Sequence, residues 1–325
     1  MLQTSAPSET PADTVVPPLT STAPRQYVHR AALAEVFLTA DWTRHDEARF
    51  TLGAQWPRTH TFFGPLGGHY DPMMAAETIR QVGALLAHAG FGVPLGHQFL
   101  MWELNYRVTP ALMAVGAAPA DLRLDVTCTD IRRRAGRLTG LSYEVTVSEN
   151  GRVLATGDAR YTCTSPEVYR RLRAERLDAA ASAPGPLPVP VEPGTVGRRD
   201  AFDVVLSPEG AGEAGGRWKL RVNTAHPVLF DHPGDHIPGM VLLEAARQAV
   251  HSRVPRGREI VPVAMDSAYH RYAEFGSPVW IEIDQAVDLP GTSESLVSVS
   301  GRQDGELLFT AITTVAALPG TGPGL

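Results

Sequence analysis

Asp235-His236-Ile237-Pro238-Gly239-Met240-Val241-Leu242-Leu243-Glu244-Ala245-Ala246-Arg247-Gln248 reads as a loop that feeds a helix. Pro238 suits a first helical position, where no backbone N–H is missed. From Met240 onward the residues are apolar on every side, apart from Glu244, Arg247 and Gln248. A helix that is apolar almost all round is buried. A glutamate and an arginine inside it must be paired or put to use, because isolated buried charge is costly. On a surface helix the same spacing makes an ordinary ion pair worth about 0.2–0.5 kcal/mol, but the surrounding Val, Leu and Ala argue against exposure.

The pattern occurs twice. His69-Tyr70-Asp71-Pro72-Met73-Met74-Ala75-Ala76-Glu77-Thr78-Ile79-Arg80-Gln81 carries His, Met, Glu, Arg and Gln in the same order and at the same spacings. His60 and His226 open the two approaching segments. A repeat of this kind marks two copies of one module. Turn signals agree: Asn150-Gly151 in the first half and Asp304-Gly305 in the second each separate two alternating apolar runs, the pattern of a tight hairpin. Each module is one long helix followed mainly by antiparallel strands, an α+β layering in which a sheet wraps the helix. The expected organisation is a disordered leader over 1–26, a first module over 27–170, an Ala/Pro-rich linker over 171–197 and a second module over 198–320.

At 325 residues the chain holds two domains of about 130 residues each. Net charge is −6 and no long basic run occurs, which argues against nucleic acid. Arg132-Arg133-Arg134 with Arg137 fits a solvated hairpin end, or a contact for an acidic carrier protein. Cys128 and Cys163 fall at alternating strand positions and read as buried free thiols of a reducing cytoplasm. No Cys or His pair has metal-ligand spacing, so neither metal nor other cofactor is expected. No stretch approaches the ~18 continuous apolar residues of a membrane span.

These residues resemble a known family. A buried helix opened by Pro238-Gly239 and carrying Glu244 one turn in is similar to the hot-dog fold, and Phe230 to Gly234 resembles the approach loop of acyl-carrier-protein dehydratases. The doubled module and the Glu-x-x-Arg-Gln of both helices resemble the A-factor synthase family of actinomycetes, over about Tyr27 to Ala317. The resemblance implies a tandem hot-dog fold. It implies transfer of a β-ketoacyl group from acyl-carrier protein to the hydroxyl of dihydroxyacetone phosphate, whose ester then condenses toward a γ-butyrolactone, butenolide or furan signal. Glu77, Arg80, Glu244 and Arg247 are the essential residues it implies.

That chemistry needs a base, an oxyanion donor and a cation. Glu244 or Glu77, held in apolar surroundings, is expected to have a raised pKa suited to acid–base work. The N–H of Gly239 is the expected oxyanion donor at a helix N-terminus; the matching residue of the first module is Pro72, which has none. This favours the second helix as the acyl site. Arg247 or Arg80 grips a phosphate or the β-keto oxygen. His69, His236 and His232 stand in the loops before the helices, as proton carriers or loop hydrogen-bond formers. Met73 and Met240 line an acyl tunnel or the core. Hot-dog sites lie between modules, which pairs Glu244 with His69 and Glu77 with His236, so the chain is a monomeric pseudo-dimer or a homodimer. The alternatives are a hot-dog dehydratase or thioesterase, and a non-catalytic lipid- or lactone-binding protein.

Overall fold

The computed structural model describes residues 20–180, 186–209, 216–253 and 260–317. The first nineteen residues of the expected leader lie outside that description. In chain order the elements of the first module are β1 (Leu38–Arg44), β2 (Arg49–Trp56), α1 (Met73–Leu85), β3 (Gln98–Val108), β4 (Ala120–Arg134), β5 (Arg137–Glu149) and β6 (Arg152–Thr164). A helix α2 (Pro166–Ala180) runs into the stretch read as linker. The second module contributes β7 (Leu206–Pro208), β8 (Arg217–Leu220), α3 (Gly239–His251), β9 (Ile260–Tyr269), β10 (Val279–Asp288), β11 (Glu294–Gln303) and β12 (Glu306–Ala317).

All twelve strands join in one antiparallel sheet ordered β1-β2-β4-β5-β6-β3-β9-β12-β11-β10-β8-β7. Read inward from either edge, the two halves have the same order. The expected duplication is therefore a pseudo-twofold pair of hot-dog modules. They meet at β3–β9, where Tyr106 lies opposite Met265 and Ser267 donates to Asn105 Oδ1 and to the Leu104 carbonyl. This seam brings the two helix starts toward each other.

The hairpins fall where the dipeptides place them. Asn150 and Gly151 have φ of 49° and 76°, and Asp304 and Gly305 have 53° and 82°, the paired positive angles of a tight hairpin turn. Inside the wrapped sheets α1 and α3 are buried nearly all round. Asp71 caps α1 by accepting from the Met73 N–H at 2.9 Å. Pro238 differs from the sequence expectation. Its ψ of 143° is extended, so it caps α3 from outside and the helix begins at Gly239. Beyond Leu85 the first helix widens into a π turn, Leu86–Gly90. β8 is short, ending at Leu220. Cys128 and Cys163 are buried free thiols. Among the described residues no helix is long and apolar enough to cross a membrane.

Candidate active site

Both central helices carry the same buried polar device. In α3, Glu244 accepts from Arg247 Nε and Nη2 at 2.8 Å each and from Gln248 Nε2 at 2.5 Å. In α1, Glu77 accepts from Arg80 Nε at 2.9 Å, Arg80 Nη2 at 2.7 Å and Gln81 Nε2 at 2.7 Å. The glutamines reach onward alike: Gln81 Oε1 accepts from Phe37 N–H and Gln248 Oε1 from Val205 N–H. His60 and His226 are structural. Each Nδ1 accepts from two backbone N–H groups of its own loop, and each Nε2 faces a carboxylate, Glu35 or Asp203.

A second arginine completes each cluster, and sequence reading missed both. Arg30 pairs with Glu77 at 2.8 Å and Arg198 with Glu244 at 2.8 Å. They also cross-link the modules, since Arg30 donates to the Val228 carbonyl and Arg198 to the Phe62 carbonyl. The available signal was short: Val28-His29-Arg30 and Val196-Gly197-Arg198 each follow a 3₁₀ turn through a left-handed residue.

These arginines overturn the expected glutamate chemistry. Burial alone would raise both carboxyl pKa values, as the apolar surroundings suggested. The guanidiniums of Arg30 and Arg80 outweigh it and lower Glu77 from 4.5 to about 2. Arg198 and Arg247 likewise hold Glu244 well below the usual range. Both are ionised anchors saturated with hydrogen bonds. They position guanidiniums and are poor proton acceptors.

The two clusters differ in access. Arg80, with its side chain 18% exposed, lines a cavity of about 210 Å³. The α3 start closes the other side of this cavity, with His236, Gly239 and Met240 lining it beside His232, His29 and Arg30. Met101, Leu104, Val228 and Leu229 supply an apolar wall. Arg80 Nη1 has no partner among the described residues, because Nε and Nη2 hold Glu77. His236 Nδ1 lies 2.7 Å from Asp235 Oδ1, and that carboxylate also accepts from the Tyr169 hydroxyl. This turns His236 Nε2 away from its carboxylate. The ring of Tyr269 packs on Gly239, where an added Cβ would meet it at 3.0 Å.

Arg247, by contrast, is 0% exposed, and its Nη1 is buried without a partner among the described residues. Asp71, which stands where the second module has Pro238, is fully buried, and its charge is felt by Arg247. Burial raises the Asp71 pKa against the pull of Arg247 and Arg198. The structure thus brings Arg80, held by Glu77, together with His236, Gly239, Met240 and His232. It leaves Glu244 and Arg247 sealed. Met73 is buried in the core, and His69 turns Nδ1 to the Gly67 carbonyl at 3.0 Å. Neither lines the cavity. Among the described residues no group of three His, Cys, Asp or Glu side chains could hold a metal ion.

This geometry can grip an anion at Arg80, offer a helix-start N–H to a developing oxyanion at Gly239, and handle a proton at His236. The A-factor biosynthesis hotdog domain matches residues 12–165 and 179–319. A 2-oxo-3-(phosphooxy)propyl 3-oxoalkanoate synthase of Streptomyces virginiae is 54% identical over 296 residues, covering 90% of this chain and 97% of that protein. The synthase of the same name from Streptomyces griseus is 42% identical over 290 residues, covering 88% and 93%. Among solved structures, a putative oleoyl thioesterase from Lactobacillus plantarum superposes with a TM-score of 0.54 at 12% identity, over 86% of this chain and 99% of that one. That likeness speaks for the fold alone.

Proposed function

This chain belongs to the A-factor biosynthesis hotdog family, and from that premise we propose that it transfers a β-ketoacyl group from a thioester to the hydroxyl of dihydroxyacetone phosphate, in the cavity between its modules. The relatives' names supply the product, a 2-oxo-3-(phosphooxy)propyl 3-oxoalkanoate. The observation that carries the site is the unpaired edge of Arg80 in one cavity with the start of α3. The acyl donor is an acyl-carrier-protein thioester whose chain lies along Met101, Leu104 and Met240. One chain supplies both walls, so a monomer suffices. A phosphorylated acceptor and two free thiols suit the cytoplasm.

In this reading Arg80, held rigid by Glu77 and seconded by Arg30, takes the phosphate. The acceptor oxygen bonds to the thioester carbonyl carbon, and the oxyanion that develops faces the Gly239 N–H. As the C–S bond breaks, His236 gives the departing sulfur a proton. The Asp235 carboxylate at its back holds Nδ1 and so directs Nε2 away from it. His232 stands at the rim of the cavity. Glu244, Arg247 and Arg198 act by fixing the second helix.

Mass spectrometry of the purified chain with a β-ketoacyl thioester and dihydroxyacetone phosphate tests this. The expected product is the phosphorylated ester, absent with Arg80→Met. Free acid, enoyl thioester or an unchanged donor would replace the proposal with a thioesterase, a dehydratase or a binding protein.

A further inference from the structure

His29 is held in a conformation that favours glycine. Its φ is 54°, and the twin position in the second module is Gly197 with φ 67°. Over Gly197 the ring of His251 leaves no room for a side chain, since an added Cβ would meet its Nδ1 at 2.6 Å. Only the first module keeps a side chain here, and that side chain lines the cavity beside Arg80. A strained backbone retained at a cavity wall points to a role for the residue.

The ring's hydrogen bonds fix which nitrogen is free. His88 Nδ1 lies 2.7 Å from the Val93 carbonyl oxygen, which only accepts, so this nitrogen carries the proton. A neutral His88 then presents a lone pair at Nε2. His29 Nε2 lies 2.8 Å from it and must be the donor. The proton-free nitrogen of His29 is therefore Nδ1, which has no partner among the described residues. His88 sits in the π turn Leu86–Gly90, a widening that recurs at functional sites. Tyr27 stacks on His88 at 5.7 Å, and Phe99 packs edge-on against His29 at 4.7 Å.

We propose that His29 is the base that takes the proton of the acceptor hydroxyl, with His88 as the positioning residue that fixes its free nitrogen. This rests on the acyl-transfer reading and supplies a nitrogen lone pair on a cavity-lining side chain, which the glutamates lack because Arg30, Arg80 and Gln81 occupy the Glu77 carboxylate. As the hydroxyl oxygen bonds to the carbonyl carbon, its proton moves to His29 Nδ1. The sulfur leaves with a proton from His236, and exchange with solvent resets both rings. Facing His29 are Arg80, Arg30, His88 and His232, with the Asp231 carboxylate occupied by the Ala31 and Ala32 N–H groups. Burial first, then Arg80 and the neighbouring rings, lowers its pKa to about 3, so the free base is neutral.

The test is His29→Gly, which installs the residue of the twin position and relieves the backbone. The variant is expected to keep the wild-type melting temperature or exceed it, and to bind dihydroxyacetone phosphate within about 3-fold of wild type. Turnover falls by about 100- to 10,000-fold, the share of a general base, and free imidazole restores part of it. His88→Phe lowers kcat with little change in KM and alters the pH profile, which a merely structural role would not. Wild-type turnover in His29→Gly overturns the proposal, and so does lost acceptor binding without imidazole rescue. A wild-type chain that makes no ester fails the acyl-transfer reading itself, and that control separates the two failures.

Discussion

Arg80 and Arg247 hold their glutamates through the same pair of hydrogen bonds, Nε and Nη2, yet one side chain opens on a cavity and the other is wholly buried. The difference follows from what faces each. Across from Arg80 the second helix starts with Pro238 and Gly239, while the first helix starts with the buried carboxylate of Asp71.

Substituting the two arginines therefore has opposite signatures. Arg247→Met strips one partner from a fully buried carboxylate and is expected to destabilise the chain by about 3–5 kcal/mol, read in urea unfolding. Each glutamate keeps a second arginine, Arg30 or Arg198, but Arg80→Met removes a guanidinium that is 18% exposed and already partly solvated. It costs less stability and abolishes acceptor binding. Equal loss of stability in both variants would contradict this division.

Of the two helix clusters, only that of Arg80 opens on a cavity, which also fixes a stoichiometry. Titration calorimetry with dihydroxyacetone phosphate is expected to count one site per chain, lost with Arg80→Met. Two sites would mean that the cluster around Arg247 opens in solution.

How far the sequence revealed this depends on what kind of signal each part leaves. The duplication, the buried helices and both hairpins were legible because they rest on local periodicity and turn dipeptides, such as Asn150-Gly151 and Asp304-Gly305. Glu77, Arg80, Glu244 and Arg247 were legible as charges in apolar runs. Arg30 and Arg198 were not, because each comes from a segment over forty residues upstream of the carboxylate it meets. Missing them reversed the expected pKa shifts. The sequence pointed to the second helix; in the structure Gly239 of that helix lines a cavity whose arginine is Arg80 of the other module. A contact between modules leaves no periodic trace.

The paired carboxylates predict acid sensitivity of definite sign. The folded-state pKa of Glu77 is depressed from 4.5 to about 2, and that of Glu244 is depressed likewise. Between those values the unfolded chain binds more protons than the folded one. Stability is thus complete above pH ~4.5 and falls as pH drops toward 2, by up to about 1.4 kcal/mol per pH unit for each carboxylate. Urea unfolding at pH 6, 4 and 3 measures it. Glu77→Gln is less stable at pH 6 but loses stability less steeply below 4.5. A wild-type profile flat down to pH 3 would refute the assignment.

Gly239 offers the last and most local test. Its place at the start of α3 makes no demand for positive φ, so alanine there is compatible with the helix. The constraint is space, because an added Cβ would meet Tyr269 ring atoms at 3.0 and 3.3 Å. Either the ring or the helix start must yield by a few tenths of an ångström. Displacing an oxyanion donor is expensive where geometry is already set, so Gly239→Ala is expected to lower kcat by about 10- to 100-fold at little cost in melting temperature. If crowding is the cause, shrinking the neighbour compensates. The double variant Gly239→Ala/Tyr269→Leu should recover much of the rate, with a coupling energy of about 0.5–3 kcal/mol between the two positions. Additive losses would mean that the glycine acts in some way other than by admitting the Tyr269 ring.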